Sequence, residues 1–128
     1  MLSMYNKELL RHVLCQMEEA ARKVLTRFEP VTSVGGFTDT SAGMEKLDSI
    51  CMLLIAIGES LKNVDKITHH QLLPQYPQID WKGAKGMRDI ISHHYFDIDA
   101  EEIYWVCQHN IKPLADMIRV IINDIDSE

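Results

Sequence analysis

The strongest constraint on the fold is the spacing of apolar residues, which recur every three or four positions along most of the chain. Leu10, Val13, Leu14, Met17, Ala20, Ala21, Val24 and Phe28 form one such stripe, with Arg11, Glu18, Glu19, Arg22 and Lys23 filling the other face. That is the period of a helix with one buried side. It predicts a first long helix from about Met4 to Phe28, ended by Pro30, whose ring and missing N–H stop the helix. A second stripe, Leu47, Ile50, Cys51, Leu54, Ile57, Gly58, Leu61 and Val64, predicts a helix from about Met44 to Lys66. Leu53 and Ile55 lie off this stripe, so that helix is central or faces a second subunit. Gly58 lowers helix propensity by up to about 1 kcal/mol. Close approach of another backbone is the expected compensation. No segment keeps the period of two that a strand requires.

The connections carry their own signals. Val31 to Gly43 is rich in Thr, Ser and Gly and reads as a loop, with Asp39, Thr40 or Ser41 available to cap the second helix. Ile67 to Pro77 holds a histidine pair and two prolines, which predicts a short helical turn and an irregular loop. Asp80 caps a helix from Trp81 to about His94, whose first turns are weakened by Gly83 and Gly86. Asp99-Ala100-Glu101-Glu102 reads as a capping box built on Asp, its acids well placed for the helix dipole. The last helix uses Ile103, Val106, Cys107, Ile111, Leu114, Met117, Ile118, Ile121 and Ile125, and Pro113 predicts a kink near His109 to Lys112. The expected architecture is all-α. It is an up-down bundle of four long helices with short helical additions, forming one domain over residues 1–128.

Composition narrows the function classes. No apolar run is long enough to span a bilayer. The opening Met1 to Glu8 has no basic segment followed by an apolar block, so no signal peptide is expected. Cys15, Cys51 and Cys107 are odd in number and sit within apolar helical patterns. They read as buried free thiols of a cytoplasmic protein, not as bridges or a zinc site. The net charge of −6 argues against a general nucleic-acid binder. Its distribution softens that conclusion. Lys62 to Tyr95 carries five Lys/Arg against three Asp/Glu and four histidines, whereas Phe96 to the end carries two basic and eight acidic residues. The middle suits brief contact with RNA, and the acidic end offers a basic partner a surface.

Chemistry concentrates in Gly86-Met87-Arg88-Asp89-Ile90-Ile91-Ser92-His93-His94-Tyr95-Phe96. Arg88 is a permanent cation with a planar fork of donors suited to phosphate. His93 can trade protons near neutral pH. Asp89 and His93 are four apart, share a helix face and are placed to hydrogen-bond, which would fix the imidazole tautomer. Arg88 and His93 are five apart, roughly 140° around a helix. They converge on one phosphate only if the arginine reaches around or a second copy of the helix completes the site.

These residues resemble a family. Arg88, four residues, His93, one residue, Tyr95 is similar to the Arg-x4-His-x-Tyr signature of HEPN ribonucleases, and more closely to the HepT-like toxins of HEPN/MNT toxin–antitoxin systems. The flanks agree: Ile57-Gly58-Glu59, Asp80-Trp81 and Tyr95-Phe96-Asp97-Ile98-Asp99. The resemblance runs from about Met44 to Val120. Asp89 departs from it, standing where the family usually carries a polar residue, often asparagine. What the resemblance implies is a metal-independent endoribonuclease with no cofactor, a homodimer with a composite site, and Arg88 and His93 as its catalytic pair. It also implies an MNT-type nucleotidyltransferase antitoxin as partner, and Tyr95 as the residue which that partner modifies with AMP.

Blander readings stand beside each of these. Arg88 alone is most simply a surface arginine. His93 suits a helix C-terminus, favoured by the dipole. Tyr95 suits an amphipathic anchor. Glu59 is either a solvated helix residue or a buried polar partner for Arg88. His94 points about 100° from His93 and reads as secondary. His69 and His70 likewise diverge, and no zinc set is completed around them. A non-catalytic HEPN adaptor that binds a nucleotidyltransferase or nucleotide, and a plain helical interaction domain, remain the competing functions.

Overall fold

A computed structural model describes residues 6–93 and 96–128, and every regular element in them is helical. α1 spans Lys7–Phe28, α2 Gly35–Thr38, α3 Ser41–Thr68, α4 Trp81–His93, α5 Ala100–His109 and α6 Ile111–Asp126, with a 3₁₀ turn at Leu73–Gln75. The expected all-α bundle is therefore the observed one. The buried apolar residues form one connected core to which α1, α3 and α6 contribute most, including Leu10, Leu14, Ile50, Leu61, Ile118 and Ile122. α3 lies against both α1 and α4, and α1 also packs on α6.

The caps explain the helix starts. Asn6 accepts from the Leu9 amide, Thr40 from Gly43, Asp80 from Gly83, and Asp99 from both Glu101 and Glu102. Each side-chain oxygen satisfies amides that have no partner within the helix. Thr40 thus takes the capping role expected of it or a neighbour.

The Val31–Gly43 segment is not a simple loop. It contains α2, whose Phe37 is fully buried and stacks near Phe28 and Tyr104. α3 starts at Ser41, three residues earlier than expected, because Gly43 packs onto the Gly36 and Phe37 carbonyls. A Cβ at residue 43 would stand 3.0 Å from the Phe37 oxygen and closer still to that of Gly36.

The expected kink of the last helix is a break. α5 ends at His109 and α6 begins at Ile111. Pro113 cannot donate to the His109 carbonyl, so the helical ladder is interrupted at this point. It sits in the first turn of α6, where the missing N–H costs least. The Asn110 amide still reaches the Val106 carbonyl at 2.8 Å and the Leu114 amide reaches Asn110 at 3.2 Å, so the two helices follow closely. The fourth long helix expected from the sequence is thus two helices.

Cys51 and Cys107 are buried free thiols, as expected, but Cys15 is only half-buried. Burial pushes the Cys51 thiol up to about 11 and the Cys107 thiol up to about 12. Among the described residues no helix is long and apolar enough to cross a membrane.

Candidate functional site

Gly58 decides how α4 meets α3. A Cβ at this position would lie 3.1 Å from Arg88 Cβ, 3.3 Å from the Lys85 carbonyl oxygen and 3.5 Å from that of Ala84. A side chain there would press these atoms back by a few tenths of an ångström, so glycine lets the α4 backbone settle this near. This is the close backbone approach expected from the glycine, and it brings Arg88 directly over α3.

Arg88 is then gripped from two sides. Its Nε lies 2.9 Å from Glu59 Oε1, and its Nη1 donates to Asp89 Oδ1 at 2.9 Å. The hydrogen bond to Asp89 and the charge of Glu59 together raise the guanidinium above its already high ordinary value. Glu59 is Arg88's partner, as one of its two readings had it, but the pair faces solvent: side-chain exposures are 41% for Arg88 and 51% for Glu59. Such an exposed pair orients the arginine more than it stabilises the fold.

Asp89 links the charges of the site. Its carboxyl is held below the usual range by the Arg88 hydrogen bond first and by the Lys62 charge second, with His93 acting in the same direction. Lys62 Nζ stands 3.9 Å from Asp89 Oδ1. The expected hydrogen bond from His93 to Asp89 is not formed, and Asp89 accepts from Arg88 instead. His93 remains exposed at the end of α4, within electrostatic range of Asp89.

Arg88, Asp89, Glu59 and Lys62 are therefore assembled into one solvent-facing cluster, and His93 lies one turn further along the same helix. Tyr95 and His94 lie outside the described residues. Lys62 escaped the sequence reading, although its place three residues after Glu59 on α3 was a usable signal. No group of three or more His, Cys, Asp or Glu side chains among the described residues is gathered closely enough to hold a metal ion.

An all-helical fold with an arginine-centred cluster of acids and bases across two packed helices fits a known class. The family model described as "Ribonuclease HepT-like" matches residues 17–121, and the chain belongs to this HepT-like family. Among curated relatives in Methanocaldococcus jannaschii, "Putative RNase MJ0127" is 36% identical over 75 residues, covering 59% of this chain and 59% of the relative. "Putative RNase MJ1216" is 29% identical over 80 residues, covering 62% and 63%. "Putative RNase MJ0125" is 28% identical over 80 residues, covering 62% and 66%. The matched stretch thus spans about three fifths of the length of these relatives. No solved structure matches.

Proposed function

We propose that this chain is a metal-independent endoribonuclease whose catalytic pair is Arg88 and His93. The observation that supports it most is the placing of Arg88: a glycine seam and Glu59 hold its guanidinium at the surface of the helix that also carries the exposed His93. RNA supplies its own nucleophile, so the protein needs to move two protons and steady one phosphate. His93 removes the proton from a 2′-hydroxyl, whose oxygen attacks the adjacent phosphorus. The bond to the 5′-oxygen breaks, and that oxygen leaves with a proton, giving a 2′,3′-cyclic phosphate and a 5′-hydroxyl. Arg88 stabilises the extra negative charge on the pentacovalent phosphorus. Asp89 and Glu59 support these residues by orienting the arginine. Acid–base groups so placed supply about 10²–10⁴-fold of rate.

One histidine does not easily serve both ends of the cleaved linkage. A homodimer doubles the set, and the divergence of Arg88 and His93 around α4 favours a composite site to which each copy contributes. In this reading the chain is the toxin of a cytoplasmic toxin–antitoxin pair, restrained by an MNT-type nucleotidyltransferase that places AMP on Tyr95. A bulky anion there would block RNA both sterically and by charge.

Purified protein incubated with RNA in EDTA tests the reading. Wild-type protein cuts, and folded Arg88→Ala and His93→Ala variants do not. Cleavage that survives in the double variant points to a contaminating nuclease and removes the proposal. A strict monomer that still cuts removes the composite site. One observation favours the adaptor reading instead: Arg88 is already held by two carboxylates. An inert but nucleotidyltransferase-binding protein would establish it.

A further inference from the structure

The seam between α3 and α4 contains a second ion pair that the proposed chemistry does not use. Asp65 is a buried acid, 4% exposed, near the C-terminus of α3. Its Oδ2 receives Lys85 Nζ from α4 at 2.6 Å. The exposed His70 places Nδ1 at 3.4 Å from the same oxygen. The backbone is drawn in as well, because the His69 and His70 amides both turn back to the Asp65 carbonyl through left-handed conformations. A buried carboxylate is costly unless it is paired and hydrogen-bonded, so this arrangement is tightly specified.

Its position on the two helices gives it a consequence. Lys85 precedes Arg88 by three residues, one turn along the same face of α4. Asp65 follows Gly58 by seven residues, two turns along the same face of α3. The contacts therefore run along one line: Glu59 to Arg88, Gly58 under the Lys85 carbonyl and Arg88 Cβ, and Asp65 to Lys85. Sliding α4 by one residue would shift it about 1.5 Å and rotate it about 100°. Apolar contacts tolerate part of such a slip. A buried carboxylate with its ammonium removed does not.

We infer that Asp65 and Lys85 are a positioning pair that fixes the register and rotation of α4 on α3, and so aims Arg88 and His93 at the scissile phosphate. The inference rests on the ribonuclease reading for its catalytic consequence. Neither residue touches the substrate.

Lys85→Met alone strands a buried charge, so the decisive variant is the double Asp65→Leu/Lys85→Met, which replaces the pair with apolar groups of similar volume. Three readouts are taken on the full chain: the melting curve, kcat and KM for a short RNA oligonucleotide, and the NMR signal of the Arg88 Nε–H. The double variant is expected to fold, to lose about tenfold or more in kcat and to keep KM within about threefold. Its Arg88 signal moves to the position of a free arginine. Lys85→Arg, which restores a cation of similar reach, recovers most of the lost kcat. A folded double variant with wild-type kcat and an unchanged Arg88 signal overturns the inference. Should the double variant not fold, Asp65→Asn/Lys85→Gln is read in the same way, since it removes both charges and keeps a hydrogen-bonding pair. If the wild-type chain cuts no RNA, the ribonuclease reading fails while the Arg88 signal still decides whether the pair positions that side chain.

Discussion

Two helix seams carry charge in this molecule, and they carry it differently. Between α1 and α6 the ion pairs lie over a closed apolar contact: Arg11 with Asp126, Arg22 with Asp116, and Arg119 with Glu18. Beneath them Leu10, Leu14, Ile118, Ile122 and Ile125 are almost fully buried. The contact between α3 and α4 includes a glycine, a buried acid and an arginine whose partners both face solvent. In the first seam charge trims a boundary that hydrophobic burial has already set. In the second seam, where Trp81, Met87 and Ile91 are also buried, charge and close backbone packing take part in setting the boundary. Stability and function are thereby separated: substitutions at α1/α6 should act on melting, and substitutions at α3/α4 on chemistry.

The sharpest break of this comparison is Arg88→Lys against Arg22→Lys. Both keep a positive charge, but only the first removes a fork proposed to bind phosphate. Single-turnover RNA cleavage should fall by about 10²-fold or more for Arg88→Lys, the scale of a lost transition-state donor. It should be unchanged for Arg22→Lys. Equal activities would erase the distinction between the seams.

A pair of glycines gives the next test. Gly58→Ala introduces a Cβ against two carbonyl oxygens and Arg88 Cβ, whereas Gly86 has nothing within 4 Å. Gly58→Ala should reduce cleavage by about tenfold through a displaced arginine. Its stability should fall by up to about 2 kcal/mol, because overpacking of about 1–3 kcal/mol is partly offset by about 1 kcal/mol of helix propensity. Gly86→Ala should raise stability by up to about 1 kcal/mol and leave cleavage intact. Matching activity losses in the two variants would show that α4 does not depend on its seat against Gly58.

At α1/α6 the expected effects are smaller and concern pH. Glu18 is held below the ordinary carboxylate range by its hydrogen bond to Arg119, and Asp116 and Asp126 by theirs to Lys112 and Arg11. A lowered folded value means that each contribution is fully present above the unfolded value of about 4. It is lost as pH falls through the folded value. Thermal melting followed from pH 7 downward should therefore hold steady and then drop below about pH 4. Glu18→Gln should cost about 1 kcal/mol or less at neutral pH and flatten part of the acid decline. An unchanged acid profile in this variant would show that Glu18 contributes nothing to that seam.

The smallest perturbation is chemical. Cys51 and Cys107 are buried and carry raised thiol values, while Cys15 is only half-buried beside Arg11. A maleimide should label Cys15 first in native protein, and the other two only on unfolding. Simultaneous labelling of all three would mean that the core opens readily.

The same contrast explains what could be read from the chain. The helices, their caps at Asp80 and Asp99, and the role of Gly58 follow from periodicity and from single-residue chemistry, and they were legible. α2 was not, because the glycines and threonines around Phe37 mask a residue that the core uses fully. Nor was the break at Asn110, since a proline three residues into a helix and a proline within one look alike until the ladder is traced. In the candidate site, the sequence left Glu59 open between a solvated residue and a buried partner of Arg88, and the observed pair takes something from each, being formed but exposed. The partner of Asp89 could not be read, because the choice between Arg88 and His93 depends on side-chain reach. Lys85 and Asp65 stand at turn-related positions on their helices, yet periodicity alone does not set the register between two helices.

A phosphate arriving at the doubly held Arg88 guanidinium meets two resident carboxylates, Glu59 and Asp89, whose charge opposes its own. A singly charged diester gains little against that opposing charge. The more highly charged species formed midway through cleavage gains more. Two resident acids would thus make the arginine a poor receptor for intact RNA and a good one for RNA that is being cut.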